Sequence, residues 1–337
     1  MKNILVTGGA GFIGVNFVRM ILNNEPEVEV YNLDALTYAG NLSSLHDCKD
    51  NPKHHFIHGD IRDDNLVAKI IQENNIEGII NFAAESHVDR SITNPGIFVD
   101  SNVTGTLNLL LNAHKHGIKR YLQVSTDEVY GSLGKEGMFT ENTNLKPNSP
   151  YSASKTSADH FVHAYHHTFG LNTVITRCSN NYGPFQFPEK MIPLCINNIL
   201  HDNDIPVYGD GMQIRDWLYV FDHCSAIWKV FNEGNTGEVY NIGGCNEKTN
   251  LQIVRAILQI LNKPESLIKY VKDRPGHDRR YAIDASKIMN TLNWKPSVTF
   301  EEGIQKTVDW YLNNREWLDN VASGNYQKYY EEMYANR

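Results

Sequence analysis

An α/β fold is predicted: a doubly wound parallel sheet with a smaller C-terminal lobe that is discontinuous in sequence. Three observations predict it. Short apolar runs alternate with helix-length segments as far as Cys178. The first run ends in a glycine-rich turn that opens a helix, as in a Rossmann-like βα unit. Beyond Cys178 the alternation gives way to loops and short strands, and returns for one helix and one strand.

Residues 2–7 are short and apolar enough for a buried parallel strand. The glycines of 8–14 follow, then a helix over 16–22. The next strand, 28–33, ends at Asp34. A third, 55–58, runs into Gly59 and Asp60 before a helix over 65–74. A fourth strand at 78–82, a long helix at 97–116 and a fifth strand at 119–125 continue the pattern. Ser149-Pro150 is a good helix start, and the helix over 151–169 leads to a sixth strand at 172–178. Residues 180–184 (Asn-Asn-Tyr-Gly-Pro) read as a loop. A helix over 190–200 and a strand at 205–208 come before Gly209-Asp210-Gly211.

A helix over 220–232 and a strand at 239–242 return to the first lobe. Thr249 with Gln252, and Thr299 with Glu302, fit capping boxes that open two last helices. The first lobe is therefore expected at 1–178 with about 217–244, and the second at about 179–216 with 245–337.

The 337 residues suffice for two such lobes, and a net charge of −8 argues against a nucleic-acid surface. Residues 1–6 are too short, and too soon interrupted by glycine, for a signal peptide, and no apolar run reaches transmembrane length. Cys48, Cys178, Cys195, Cys224 and Cys245 are scattered without a CxxC pair, as expected of free thiols in a reducing cytoplasm. His163 and His167 have ligand spacing but no carboxylate or cysteine beside them, so no metal is expected.

Gly9-Ala10-Gly11-Phe12-Ile13-Gly14 is a GxGxxG between strand and helix, and Gly8, Gly11 and Gly14 add a GxxGxxG spacing. Glycine is needed where the backbone turns tightly against a pyrophosphate at a helix N-terminus. Asp34 stands 20 residues after Gly14, at the end of the next strand. Its carboxylate suits ribose hydroxyls and repels a 2′-phosphate, which favours NAD over NADP. Asp60 either meets the adenine or caps the following helix. Ala83 and Ala84 are small where the cofactor backbone must pass.

Tyr151 and Lys155 are spaced i, i+4, so they share a helix face, and an ammonium beside a phenol is expected to lower the tyrosine pKa. Asp127 and Glu128 follow the fifth strand as adjacent carboxylates. Such a pair divides one proton, because ionising both is disfavoured.

The glycine loop and Tyr151-x-x-x-Lys155 resemble the extended short-chain dehydrogenase/reductase family. Ser125-Thr126-Asp127-Glu128-Val129-Tyr130-Gly131 resembles its nucleotide-sugar 4,6-dehydratases, the branch acting on dTDP-glucose in particular. Phe82-Ala83-Ala84-Glu85-Ser86-His87-Val88-Asp89-Arg90-Ser91, Cys178-Ser179-Asn180-Asn181-Tyr182-Gly183-Pro184, Arg215-Asp216-Trp217 and Asp273-Arg274-Pro275-Gly276-His277-Asp278-Arg279-Arg280 resemble it too.

The resemblance implies loss of water from a nucleotide-linked hexose, with tightly bound NAD taking up and returning a hydride. It implies Tyr151 as base at the 4-hydroxyl, assisted by Lys155 and Thr126, with Asp127 as acid at C6 and Glu128 as base at C5. For NAD it implies Gly8, Gly11, Phe12, Ile13, Gly14, Asp34, Asp60, Ile61, Ala83, Ala84, Ser86, Tyr151, Lys155 and Asn181. For the sugar nucleotide it implies His87, Thr126, Asn180, Lys190, Met191, Pro206, Tyr208, Arg215, Asn250, Arg274 and His277. Asn250 has a competing role beside the cap residue Thr249. A homodimer through the 97–116 and 151–169 helices is also implied. A 4-epimerase could use the same Tyr151 and Lys155, but it needs no acid at C6 and no base at C5. A non-enzymatic NAD sensor would need neither Tyr151 nor Lys155.

Overall fold

The computed structural model describes residues 1–273 and 278–323. Its first lobe runs β1 (Asn3–Thr7), α1 (Phe12–Asn24), β2 (Glu29–Asp34), β3 (His54–His58), α2 (Asp64–Glu73), β4 (Gly78–Asn81), α3 (Val88–Thr93), α4 (Gly96–Phe98), α5 (Gly105–Lys115), β5 (Arg120–Thr126), α6 (Pro150–Phe169) and β6 (Thr173–Cys178). There follow β7 (Asn180–Tyr182), α7 (Met191–Leu200), β8 (Ile205–Tyr208), β9 (Ile214–Tyr219), α8 (Val220–Glu233), β10 (Val239–Ile242), β11 (Glu247–Thr249), α9 (Asn250–Ile260), β12 (Ile268–Val271), α10 (Ser286–Leu292), α11 (Phe300–Asn313) and α12 (Arg315–Val321).

Among the described residues the main sheet has seven parallel strands in the order β10-β6-β5-β4-β1-β2-β3. β4, β5 and β6 are buried along their whole length, as strands covered by helices on both faces must be. From β1 the chain winds outward through β2 and β3, then crosses back to β4 and winds the other way. That reversal leaves a crevice at the carboxyl ends of β1 and β4, where ligands of open α/β sheets bind.

The second core gathers Tyr182, Ile196, Ile253, Ile257, Phe300, Ile304, Val308 and Tyr311. Both expected capping boxes form, at Thr249 with Gln252 and at Thr299 with Glu302. β9 serves both lobes. Trp217 and Tyr219 enter the second core, while Leu218 between them enters the first.

Several expectations are corrected. α1 begins at Phe12, not 16, because Gly11 is already its N-cap. The 97–116 helix is interrupted by a π turn over Val99–Thr104. There the buried Asn102 bonds the main chain of Glu85 and the hydroxyl of Ser154, and such partners outweigh a regular helical turn. Asn180–Tyr182 is not loop but β7, paired in parallel with β9. β9 itself was hidden by Arg215 and Asp216, which are buried with partners. α10 lies in the stretch given to the second lobe, yet Ile288, Leu292 and Trp294 pack into the first core. Among the described residues no helix is long and apolar enough to cross a membrane.

Candidate active site

The crevice is a cavity of about 460 Å³ whose wall runs from the glycine loop to Lys190. Gly8 has φ +72°, and a Cβ there would lie 2.7 Å from the Ala83 nitrogen. A Cβ on Gly14 would lie 2.2 Å from the Gly8 carbonyl oxygen. Side chains are excluded, so the loop backbone passes close to β4 and hands directly into α1. The first turn of α1 carries no acidic residue and no side-chain cap. Its free N–H groups and positive dipole end suit a phosphate.

Asp34 closes β2, and its two oxygens accept hydrogen bonds from the main-chain nitrogens of Ala10 and Leu36, both at 2.8 Å. Burial raises its pKa, and these two bonds oppose that rise. Each oxygen keeps acceptor capacity for a ribose hydroxyl. A loop that admits no side chain, beside an oriented carboxylate, fits NAD and would repel a 2′-phosphate.

Phe12, Ile13, Ile61, Ala83, Ala84, Ser86 and Asn181 also line the wall. Asp60 lines it too, and pairs with Arg62 at 2.7 Å. The cap of α2 falls instead to Asp63, which accepts from the Leu66 nitrogen at 3.0 Å, so the capping alternative for Asp60 is removed.

Thr126, Asp127, Glu128, Tyr151 and Lys155 share the same wall. β5 ends at Thr126, whose hydroxyl caps a 3₁₀ turn over Asp127–Tyr130. Ser149 caps α6, Pro150 opens it and Gly170 ends it in the left-handed conformation, so Tyr151 and Lys155 sit on its first two turns. The Thr126 hydroxyl is 3.4 Å from Asp127 Oδ1, while among the described residues Oδ2 is buried without a partner. Burial, and then the charge of Glu128, push the Asp127 pKa well above the usual carboxylate range. Its surroundings therefore favour the protonated form. Glu128, half-buried, accepts from the Ser152 hydroxyl at 3.3 Å.

The expected lowering of the Tyr151 pKa is not what the site gives. Burial, and then the charge of Glu128, raise it, while a hydrogen bond with Thr126 opposes them. Lys155 Nζ donates to the Val124 carbonyl at 2.7 Å, and burial lowers its own pKa.

Asn180 and Lys190 line the cavity, and Lys190 Nζ donates to the Ser86 carbonyl at 2.9 Å. His87, Met191, Pro206, Tyr208, Arg215 and Asn250 stand off its wall. His87 caps α3, and Tyr208 donates to Asp89 at 3.3 Å. Arg215 holds the Asp278 carbonyl at 2.8 Å and lies 4.4 Å from the Tyr281 ring centroid. Its charge still reaches Asp127, whose pKa it lowers against burial. Met191 and Asn250 open α7 and α9, and Pro206 lies on β8. Arg274 and His277 lie outside the described residues.

Sequence reasoning missed Tyr38, Glu85 and Glu189, all on the wall. Tyr38 donates to Glu189 Oε1 at 2.9 Å across the two lobes. Burial pushes the Glu189 carboxyl up to about 7. The folded chain thus keeps this proton where an unfolded carboxyl near 4.5 has lost it. Stability falls as pH rises from about 4.5 to about 7 and is flat above, because only the native state still binds the proton in that window. Glu189→Gln is expected to remove this slope and to melt above the wild type at alkaline pH. Thermal melts of both chains between about pH 5 and about pH 8 check it, and parallel curves would clear Glu189 of the effect.

The family described as GDP-mannose 4,6 dehydratase matches residues 5–307. A dTDP-glucose 4,6-dehydratase of Xanthomonas campestris pv. campestris (strain B100) is 54% identical over 345 residues, which take in 97% of this chain and 98% of that protein. The dTDP-glucose 4,6-dehydratase of Bacillus anthracis str. Ames, solved in complex with NAD, is similar at a TM-score of 0.90 and 51% identity, covering 95% of this chain and 100% of the other. That of Streptomyces venezuelae, solved with NAD and dTDP bound, has a TM-score of 0.92 at 47% identity, with the same coverage of 95% and 100%.

Proposed function

Because the chain belongs to the GDP-mannose 4,6 dehydratase family, we propose that it converts dTDP-glucose to dTDP-4-keto-6-deoxyglucose and water, with NAD held in the crevice. The observation that carries this reading is the carboxyl pair Asp127 and Glu128 on the wall that also holds Tyr151 and Lys155. A 4-epimerase would leave that pair without work.

NAD, when bound, supplies reversible hydride storage, so the sugar is dehydrated without net oxidation. Tyr151 takes the proton of the 4-hydroxyl, and Thr126, at the end of β5, holds that hydroxyl in line. The raised pKa makes the phenolate scarce at neutral pH but a strong base once formed, and its fraction grows about tenfold per pH unit. Lys155, one turn along the face, keeps a positive charge near the phenolate that takes this proton. The 4-ketone acidifies the C5 proton, which Glu128 removes. Asp127, whose burial favours the protonated form, gives its proton to the departing 6-hydroxyl.

The cofactor is assigned to residues 1–178 with about 217–244, joined by the α10 stretch that packs into the same core, and the sugar nucleotide to the remainder of about 179–216 with 245–337. Asn180 and Lys190 bind it at the cavity wall, with Arg215 and its neighbours in the second lobe beyond. A homodimer through α5 and α6 is supported by Leu111, Phe161 and Phe169, large apolar side chains exposed on those helices. A cytoplasmic location is supported by the five cysteines, all free.

Incubation with dTDP-glucose deuterated at C4 is expected to give product with deuterium at C6 of the same molecule. Mass spectrometry of the product reads this directly. Deuterium found in released NADH instead would end the proposal. Turnover with UDP-glucose in place of dTDP-glucose tests the nucleobase, and a faster UDP-glucose reaction would reassign it.

A further inference from the structure

We propose that Tyr130, Arg177 and Asp159 form a positioning strut that sets the Asp127–Glu128 turn against α6, and that water loss depends on it more than C4 oxidation does. The inference rests on the dehydratase reading of the same site.

Arg177 lies on β6, in register with Ser125 of β5. Its side chain and that of Asp159 are 6% and 1% exposed. Arg177 Nε donates to Asp159 Oδ2 at 2.9 Å, and Nη1 donates to the Tyr130 hydroxyl at 3.0 Å. That hydroxyl donates in turn to Asn241 Oδ1 at 2.7 Å on β10. The hydroxyl is therefore used both as acceptor and as donor, with its direction fixed.

The two ends of this chain of bonds belong to the two halves of the site. Asp159 follows Lys155 by four residues and Tyr151 by eight on α6, and all three are buried. They share one helix face. Tyr130 closes the 3₁₀ turn that Asp127 opens, three residues earlier, where side chains of i and i+3 eclipse. Gly131 then takes φ +89° and turns the chain away. One guanidinium thus grips the helix that carries the base and the turn that carries the acid pair.

A buried ion pair adds little net stability against an apolar replacement, but it fixes geometry. Asp159 has a second effect. Among the described residues its Oδ1 is buried without a hydrogen-bond partner, and its charge opposes the burial that would discharge Lys155.

Tyr130→Phe removes one hydroxyl and keeps the ring stacked on Phe139, whose centroid is 5.0 Å away. The variant is expected to lose about tenfold in kcat with KM within about twofold, as a small misplacement of a reacting group does. During turnover the near-ultraviolet absorbance of reduced nicotinamide should build up beyond the wild-type level, because water loss becomes the slow step. Arg177→Lys should give the same signature, since an ammonium cannot fork between Asp159 and Tyr130. An unchanged kcat in both variants would overturn the strut, and so would a lower kcat without that absorbance. Failure of the dehydratase reading would show in the wild type as no turnover of dTDP-glucose, and it would overturn both.

Discussion

Tyr151→Phe is expected to lower kcat on dTDP-glucose by about a thousandfold or more, with the melting temperature nearly unchanged. The ring is 8% exposed and packs near Phe98 at a centroid distance of 6.3 Å, so phenylalanine keeps the packing and loses only the hydroxyl. Thr126 and Lys155 border the same wall, but neither replaces a base at that point. Lys155 Nζ is held by the Val124 carbonyl at 2.7 Å, so it supports the tyrosine and does not itself take the hydroxyl proton. Oxidation at C4 comes first, so every later step stops with it. Stopped-flow absorbance of reduced nicotinamide with excess enzyme is the measurement. A normal single-turnover rise would remove Tyr151 as the base.

Asp127→Asn is expected to lower kcat by about a hundredfold while leaving C4 oxidation fast. Asparagine matches the carboxyl in shape and keeps an acceptor for Thr126, but it has no acid proton to give. Burial and the neighbouring Glu128 charge both act against ionisation of Asp127, which suits it to the part of the acid. The variant should therefore show reduced nicotinamide early and 4-keto-6-deoxy product late. Rapid-quench analysis of the sugar separates the two times. Equal slowing of both would transfer the acid role to another group.

Much of the site could be read before the structure, for identifiable reasons. Gly8 and Gly14 are legible because no other residue fits so close to Ala83 and to the Gly8 carbonyl. Asp34 is legible because a carboxylate ends the second strand, 20 residues after Gly14, and Tyr151 with Lys155 because helix periodicity puts them on one face. What escaped depends on contacts between distant stretches. Tyr38 and Glu189 are 151 positions apart, and nothing local marks either as part of the wall. Arg215 and Asp216 disguise β9 as loop because their partners, Asp278 and the main chain of Gly244 and Asn246, come from elsewhere in the chain. The direction of the Tyr151 shift escapes sequence reasoning for the same kind of reason. The helix alone offers Lys155, whereas the fold adds burial and the charge of Glu128 from a different element.

The strand β9, feeding Leu218 to one core and Trp217 and Tyr219 to the other, limits how this enzyme can diversify. The chain shuttles between the lobes at β6 to β7, at β9 to α8, at β10 to β11, and again into and out of α10. A segment cut out and replaced to change the sugar nucleotide accepted disturbs contacts of both cores. A new specificity is reached more readily residue by residue, beside two cores that one strand joins.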